Sequence, residues 1–137
     1  MKLCSACLLG INCRHDGKIK PNKKIIELAK KEKLIPVCPD VLGGLSIPRE
    51  QMEIIDGKVI MKSGKDATGN CVKGAQKVLE IAQNKGIKEA ILKQRAPSCG
   101  SGKIYDGTFS GKVIKGWGIT ADLLRKNGIK VISEEEI

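Results

Sequence analysis

Six cysteines in a chain of 137 residues are the side chains most able to do chemistry here: Cys4, Cys7, Cys13, Cys38, Cys71 and Cys99. In a reducing compartment thiols stay unpaired, so a set of this size points to metal binding, thiol chemistry or plain burial. Three of them share a context. Cys7 follows the apolar segment that opens the chain, Cys38 follows Leu34-Ile35-Pro36-Val37, and Cys99 lies between Pro97-Ser98 and Gly100 in a long polar loop after the apolar run 89–93. Fixing each residue of such a loop costs about 1–2 kcal/mol of backbone entropy. A long, specific loop that carries a cysteine therefore suggests a bound group that helps to hold it.

If the three preceding segments are parallel strands of one sheet, their carboxyl ends lie on the edge where open α/β sheets take ligands. Cys7, Cys38 and Cys99 are then expected to converge. Three scattered thiolates suit an iron–sulfur cluster better than structural zinc, which uses four ligands in close pairs. A four-iron cube held by three cysteines keeps one iron open to a soft sulfur atom. The alternative of three buried thiols stays open on spacing alone. Cys4 and Cys7 have the spacing of a redox pair, but such pairs open a helix, whereas Cys4 belongs to a strand. Cys4 and the helical Cys71 are expected to be core thiols.

The elements that must position these residues follow from hydrophobic period and turn chemistry. Strands are expected over 1–4, 34–38, 90–93 and 129–132, and helices over 21–33, from 66 or 68 to 84, and over 120–126. In the first helix Ile25, Ile26, Leu28 and Ala29 form the apolar stripe; in the second it is Val72, Ala75, Val78, Leu79 and Ala82. Asp56-Gly57 between two apolar runs is a hairpin signal over 53–61. Strands alternating with helices imply an α/β fold: one three-layer domain spanning residues 1–137, with a mostly parallel sheet, helices on both faces and a β-hairpin insertion. Residues 94–109 are read as loop, and the residues after 132 as an acidic tail.

The formal charge is +10, which attracts anions such as nucleotides, phosphates or RNA. Arg14, Arg49, Lys103 and the backbone amides from Gly100 to Lys103 are candidates to bind a phosphate. The chain has one Phe, one Trp and one Tyr, so no ladder of stacking rings favours intact nucleic acid as the main partner. No apolar run reaches the roughly 20 residues of a membrane span, and no secretory leader precedes the first strand, which implies a cytoplasmic protein without a membrane partner.

Several motifs in fixed order are recognisable: Ser5-Ala6-Cys7-Leu8-Leu9-Gly10, Cys13-Arg14-His15-Asp16-Gly17, Pro36-Val37-Cys38-Pro39-Asp40, Leu42-Gly43-Gly44-Leu45 and Pro97-Ser98-Cys99-Gly100-Ser101-Gly102-Lys103-Ile104-Tyr105-Asp106-Gly107-Thr108-Phe109. Over nearly its whole length the chain resembles the family that includes the thiouracil desulfidases, in its single-domain form. The resemblance implies a [4Fe-4S] cluster held by Cys7, Cys38 and Cys99 and used without net redox change. Its implied activity converts a thiolated pyrimidine, thiouracil or 4-thiouridine monophosphate, to the uracil form and releases hydrogen sulfide. It also implies that Asp40 and a serine, Ser101 or Ser98, handle protons and orient the base, and that Gly43, Gly44 and Gly100 contact substrate. Asp40 stands where the family usually has Glu, His15 where it has Tyr, and Ala96 where a Ser commonly precedes the Pro. Cys13 is expected to be a packing thiol, with a ligand role as its rival. Two other classes compete with an enzyme: a non-catalytic iron–sulfur or thiolated-RNA binding module, and a plain nucleotide-binding domain with buried thiols.

Overall fold

Apolar runs that end at cysteines pair with one another. The computed structural model describes residues 1–137. In chain order the elements are β1 (Lys2–Ser5), a 3-10 turn (Ala6–Leu9), α1 (Lys23–Ala29), β2 (Leu34–Val37), α2 (Pro39–Leu42), β3 (Met52–Ile55), β4 (Lys58–Met61), α3 (Thr68–Lys85), β5 (Glu89–Leu92), β6 (Ser101–Tyr105), β7 (Val113–Trp117), α4 (Ile119–Lys126), β8 (Lys130–Ser133) and a closing 3-10 turn (Glu134–Glu136). Four strands form one parallel sheet in the order β2-β1-β5-β8. Chain direction across the sheet reverses between β1 and β5, and their carboxyl ends open the crevice that such a switch point creates.

Strand alternation decides which helix covers which face. Leu3, Ala90 and Leu92 point to one side and pack with Val78 and Ala82 of α3 and Ala121 and Leu124 of α4. Cys4 and Ile91 point to the other side and pack with Leu8 and with Ile25 of α1. This is the expected α/β arrangement of a parallel sheet flanked by helices. The β3–β4 hairpin turns at Asp56-Gly57, both at positive φ, as the sequence predicts, and buries Met52, Val59 and Met61 against Ala67 and Cys71.

Four local expectations are corrected. Helix α1 starts after Asn22, whose side-chain oxygen accepts from the Ile25 N–H at 3.2 Å, and ends at Ala29 rather than near 33; only Ile25 is fully buried and Ala29 is exposed. Val72 on α3 is 40 % exposed, because Cys71, Gly74, Ala75, Val78 and Ala82 fill the inner stripe. The stretch 94–109, read as loop, contains strand β6, which joins β7 in a second antiparallel hairpin that pairs Lys103 with Lys115 and Tyr105 with Val113; glycines and lysines hide its alternation. The acidic tail is structured: Ser133 and Glu136 form a reciprocal cap, and Glu134 is buried.

Two glycines let α2 and α3 cross at backbone contact. A Cβ on Gly43 would collide with the Asn70 carbonyl, and one on Gly74 with the Pro39 carbonyl. The tight crossing sets where α2, and with it Asp40, stands.

Candidate functional site

Each cysteine-bearing turn leaves the sheet at its carboxyl edge. β1 runs into the 3-10 turn that carries Cys7, β2 runs into Cys38 at the head of α2, and β5 runs through Lys93 and Gln94 into the loop of Ser98 and Cys99. Together with Cys13 they line one cavity of about 230 Å³, whose walls also include Ser5, Arg14, His15, Asp40, Arg49, Lys93, Gln94, Pro97, Ser98 and Tyr105. Cys4 and Cys71 lie outside this lining and are fully buried; burial pushes both thiols up to about 12.

The four cavity thiols are not equivalent. Cys13 sits between Cys7 and Cys38, and its hydrogen bonds to them lower both; Cys38 falls to about 7. Cys13 itself is raised, first by its bond to Cys38. Cys99 is raised by burial. No three His, Cys, Asp or Glu groups are gathered tightly enough to chelate one metal ion. Thiols spread around a cavity suit a multi-iron cluster, in which separate cysteines hold separate irons. A second feature fits an anionic group: Arg49 is 6 % exposed at its side chain, and its Nε is buried in the cavity wall without a partner.

Beside the thiols lies a tightly bonded carboxylate. Asp40 Oδ1 accepts from Ser98 Oγ at 2.6 Å, and Oδ2 accepts from Arg49 Nη2 at 3.1 Å. Cys71 Sγ approaches Oδ1 at 3.9 Å from below. Arg49 also donates to the carbonyls of Cys13 and Ser46 at 3.0 and 3.1 Å, and its backbone N–H to that of His15 at 2.8 Å. One guanidinium thus ties the Cys13 turn to α2. Ser98 is held in turn by α4, whose Thr120 and Ala121 N–H groups donate to the Ser98 carbonyl. Gly118 allows this approach, because a Cβ there would strike the same carbonyl.

Positions of the expected site residues divide clearly. Cys7, Cys38, Cys99, Asp40, Ser98, Arg14 and Arg49 line the cavity. Ser101 does not; its hydroxyl donates to the Cys99 carbonyl at 2.9 Å. Gly43 and Gly44 lie at the end of α2, with Gly43 against α3. Gly100 is packed where a Cβ would meet the carbonyls of Lys103 and Ala96, and Lys103 is exposed near Glu135. Arg14 is held in a two-bond fork by Asp16. Lys93, Gln94, Ser5 and Tyr105 belong to the cavity without having been singled out. Their signal is faint: Lys93 and Gln94 directly follow β5, and Ser5 precedes Ala6-Cys7.

The model of the 2-thiouracil desulfurase family matches residues 3–136. The chain is 46 % identical, over all of its length and 97 % of the relative's, to the uncharacterised protein YbbK of Bacillus subtilis (strain 168). Among solved structures, the [4Fe-4S]-dependent thiouracil desulfidase TudS superposes with a TM-score of 0.93 at 40 % identity, covering 99 % of this chain and 91 % of that one.

Proposed function

The chain belongs to the 2-thiouracil desulfurase family, and from that premise we propose that it is a [4Fe-4S]-dependent desulfidase of thiolated pyrimidines that acts in the cytoplasm as a single functional unit. The observation that supports this most is the meeting of four thiols with the Asp40–Ser98 pair in one cavity. The overall conversion replaces a ring C=S by C=O at the expense of one water and yields hydrogen sulfide, so electrons balance without an outside oxidant or reductant.

Cys7, Cys38 and Cys99 would hold the cluster, and Cys13 would stand beside them. When bound, the cluster supplies an open iron with affinity for soft sulfur. Asp40 accepts the proton of the incoming water at its carboxylate, and Ser98 keeps that carboxylate aimed through its 2.6 Å bond to Oδ1. Arg49 balances the Asp40 charge and keeps the carboxylate from turning away.

The net charge of +10 favours 4-thiouridine monophosphate over free 4-thiouracil. Anaerobically reconstituted protein should consume either compound with loss of the thiocarbonyl absorbance and release of one sulfide per ring. Stable iron and cluster content with no sulfide from any thiopyrimidine would instead support a binding module.

A further inference from the structure

Three cations line the cavity, and their hydrogen-bond commitments differ. Arg49 gives its Nη donors to Asp40 and to the Cys13 and Ser46 carbonyls. Arg14 gives Nε and Nη2 to Asp16 in a fork. Lys93 has a single partner, Glu134 Oε2 at 3.0 Å, and its side chain is one-third exposed. An ammonium carries three donors. Lys93, which lines the cavity, therefore keeps N–H groups uncommitted.

We propose that Lys93 is a substrate-binding residue of the desulfidase site, donating to an oxygen acceptor of the thiolated pyrimidine, and that Glu134 is its positioning residue. The assignment rests on the desulfidase reading above. Glu134 is 7 % exposed, and besides Lys93 it accepts the Gln94 N–H on Oε1 at 2.7 Å. One buried carboxylate thus fixes both the backbone leaving β5 and the lysine head beside it. Neighbouring contacts reinforce the hold: Lys93 N–H donates to Ser5 Oγ at 2.8 Å, and Glu135 holds Arg95 at 2.6 Å in a left-handed backbone conformation, φ 70°. Gln94 Oε1 accepts from the Ser101 and Lys103 N–H groups. The C-terminal turn thereby backs the cavity wall, holding Lys93 and Gln94 without lining the cavity itself. An ammonium suits this task because it is a compact charge with rotatable donors, able to follow an oxygen without a fixed plane. That oxygen is either the ring carbonyl or a phosphate oxygen, and the two sources separate by experiment.

The test uses cluster-loaded protein. Removing Lys93 alone leaves Glu134 buried without its cation, so Lys93→Met is made alone and together with Glu134→Gln. Steady-state kinetics are measured on 4-thiouracil and 4-thiouridine monophosphate. Binding of the unreactive oxygen products, uracil and uridine monophosphate, is measured by calorimetry. Loss of a charge-assisted bond should raise KM and the product Kd roughly ten- to a hundredfold, with iron content and visible spectrum unchanged, and Lys93→Arg should recover part of the affinity. A ring-carbonyl contact affects base and nucleotide alike; a phosphate contact affects the nucleotide alone. Unchanged KM and Kd in a double variant that still turns over would overturn the assignment, as would loss of iron from both Lys93→Met proteins, which would assign the lysine to the cluster. Failure of the wild type to release sulfide would instead refute the desulfidase reading itself.

Discussion

On one side of the cavity Ser98 and Arg49 both donate to Asp40, which Cys71 approaches from outside the lining, and the Asp40–Ser98 pair is closed to 2.6 Å. On the other side Lys93 has one partner and stands at the start of a loop held from behind by the C-terminal turn. The first wall is densely bonded and buried, with side-chain exposures of 6 % for Arg49 and 13 % for Asp40, and only Arg49 Nε in it lacks a partner. Groups that must keep one orientation through a proton transfer belong in such a network, because a preorganised donor set needs no rearrangement as charge develops. A group that must meet an incoming ligand needs open donors, and the lysine wall supplies them. The difference separates the residues expected to govern kcat from those expected to govern KM.

Removing the thiols erases both walls' purpose and gives the largest effect. Cys7→Ser, Cys38→Ser and Cys99→Ser should each abolish stable cluster assembly, while Cys4→Ser and Cys71→Ala should retain full iron; iron and sulfide analysis after anaerobic reconstitution decides. Loss of iron in Cys13→Ser with retention in Cys7→Ser would exchange those two assignments.

Asp40→Asn sharpens the comparison from the bonded side. It keeps the shape and removes the proton acceptor, so kcat should fall by about 10²–10⁴ with KM little changed and the cluster spectrum intact. Near-normal turnover would reduce Asp40 to a structural partner of Arg49 and Ser98.

A finer cut lies between the two serines. Ser98→Ala removes the donor to Asp40 and should lower kcat by roughly tenfold, the equivalent of about 1.4 kcal/mol of transition-state stabilisation. Ser101→Ala removes only the bond to the Cys99 carbonyl and should change kcat less than Ser98→Ala does. The reverse order would move the proton-handling role to the start of β6.

How much of this was legible in the sequence follows the range of the interactions. The strand ends were visible because apolar runs stop at Cys7, Cys38 and near Cys99, and alternating helices forced those runs parallel. The resemblance placed Asp40 among the proton handlers. Nothing local distinguished Ser98 from Ser101, since the choice depends on α4 gripping the Ser98 carbonyl from residues 120 and 121. Arg49 looked like a phosphate binder because its charge was visible and its bond to Asp40 was not. Lys93 was hidden for the same reason: its partner Glu134 is distant in sequence and follows the neighbouring strand β8, in residues whose run of acids reads as a solvated tail. The β6–β7 hairpin was missed because Gly102, Lys103, Lys115 and Gly116 break the apolar alternation that marks a strand.

Isotope transfer from solvent tests the central claim most directly. Cluster-loaded protein turning over 4-thiouracil in ¹⁸O-water under strict anaerobiosis should yield uracil carrying one solvent oxygen at the former thiocarbonyl carbon, with one sulfide released per uracil. Asp40→Asn, with equal iron content, should form that product far more slowly. Uracil without solvent oxygen, or iron-loaded wild-type protein that releases no sulfide, would contradict the account.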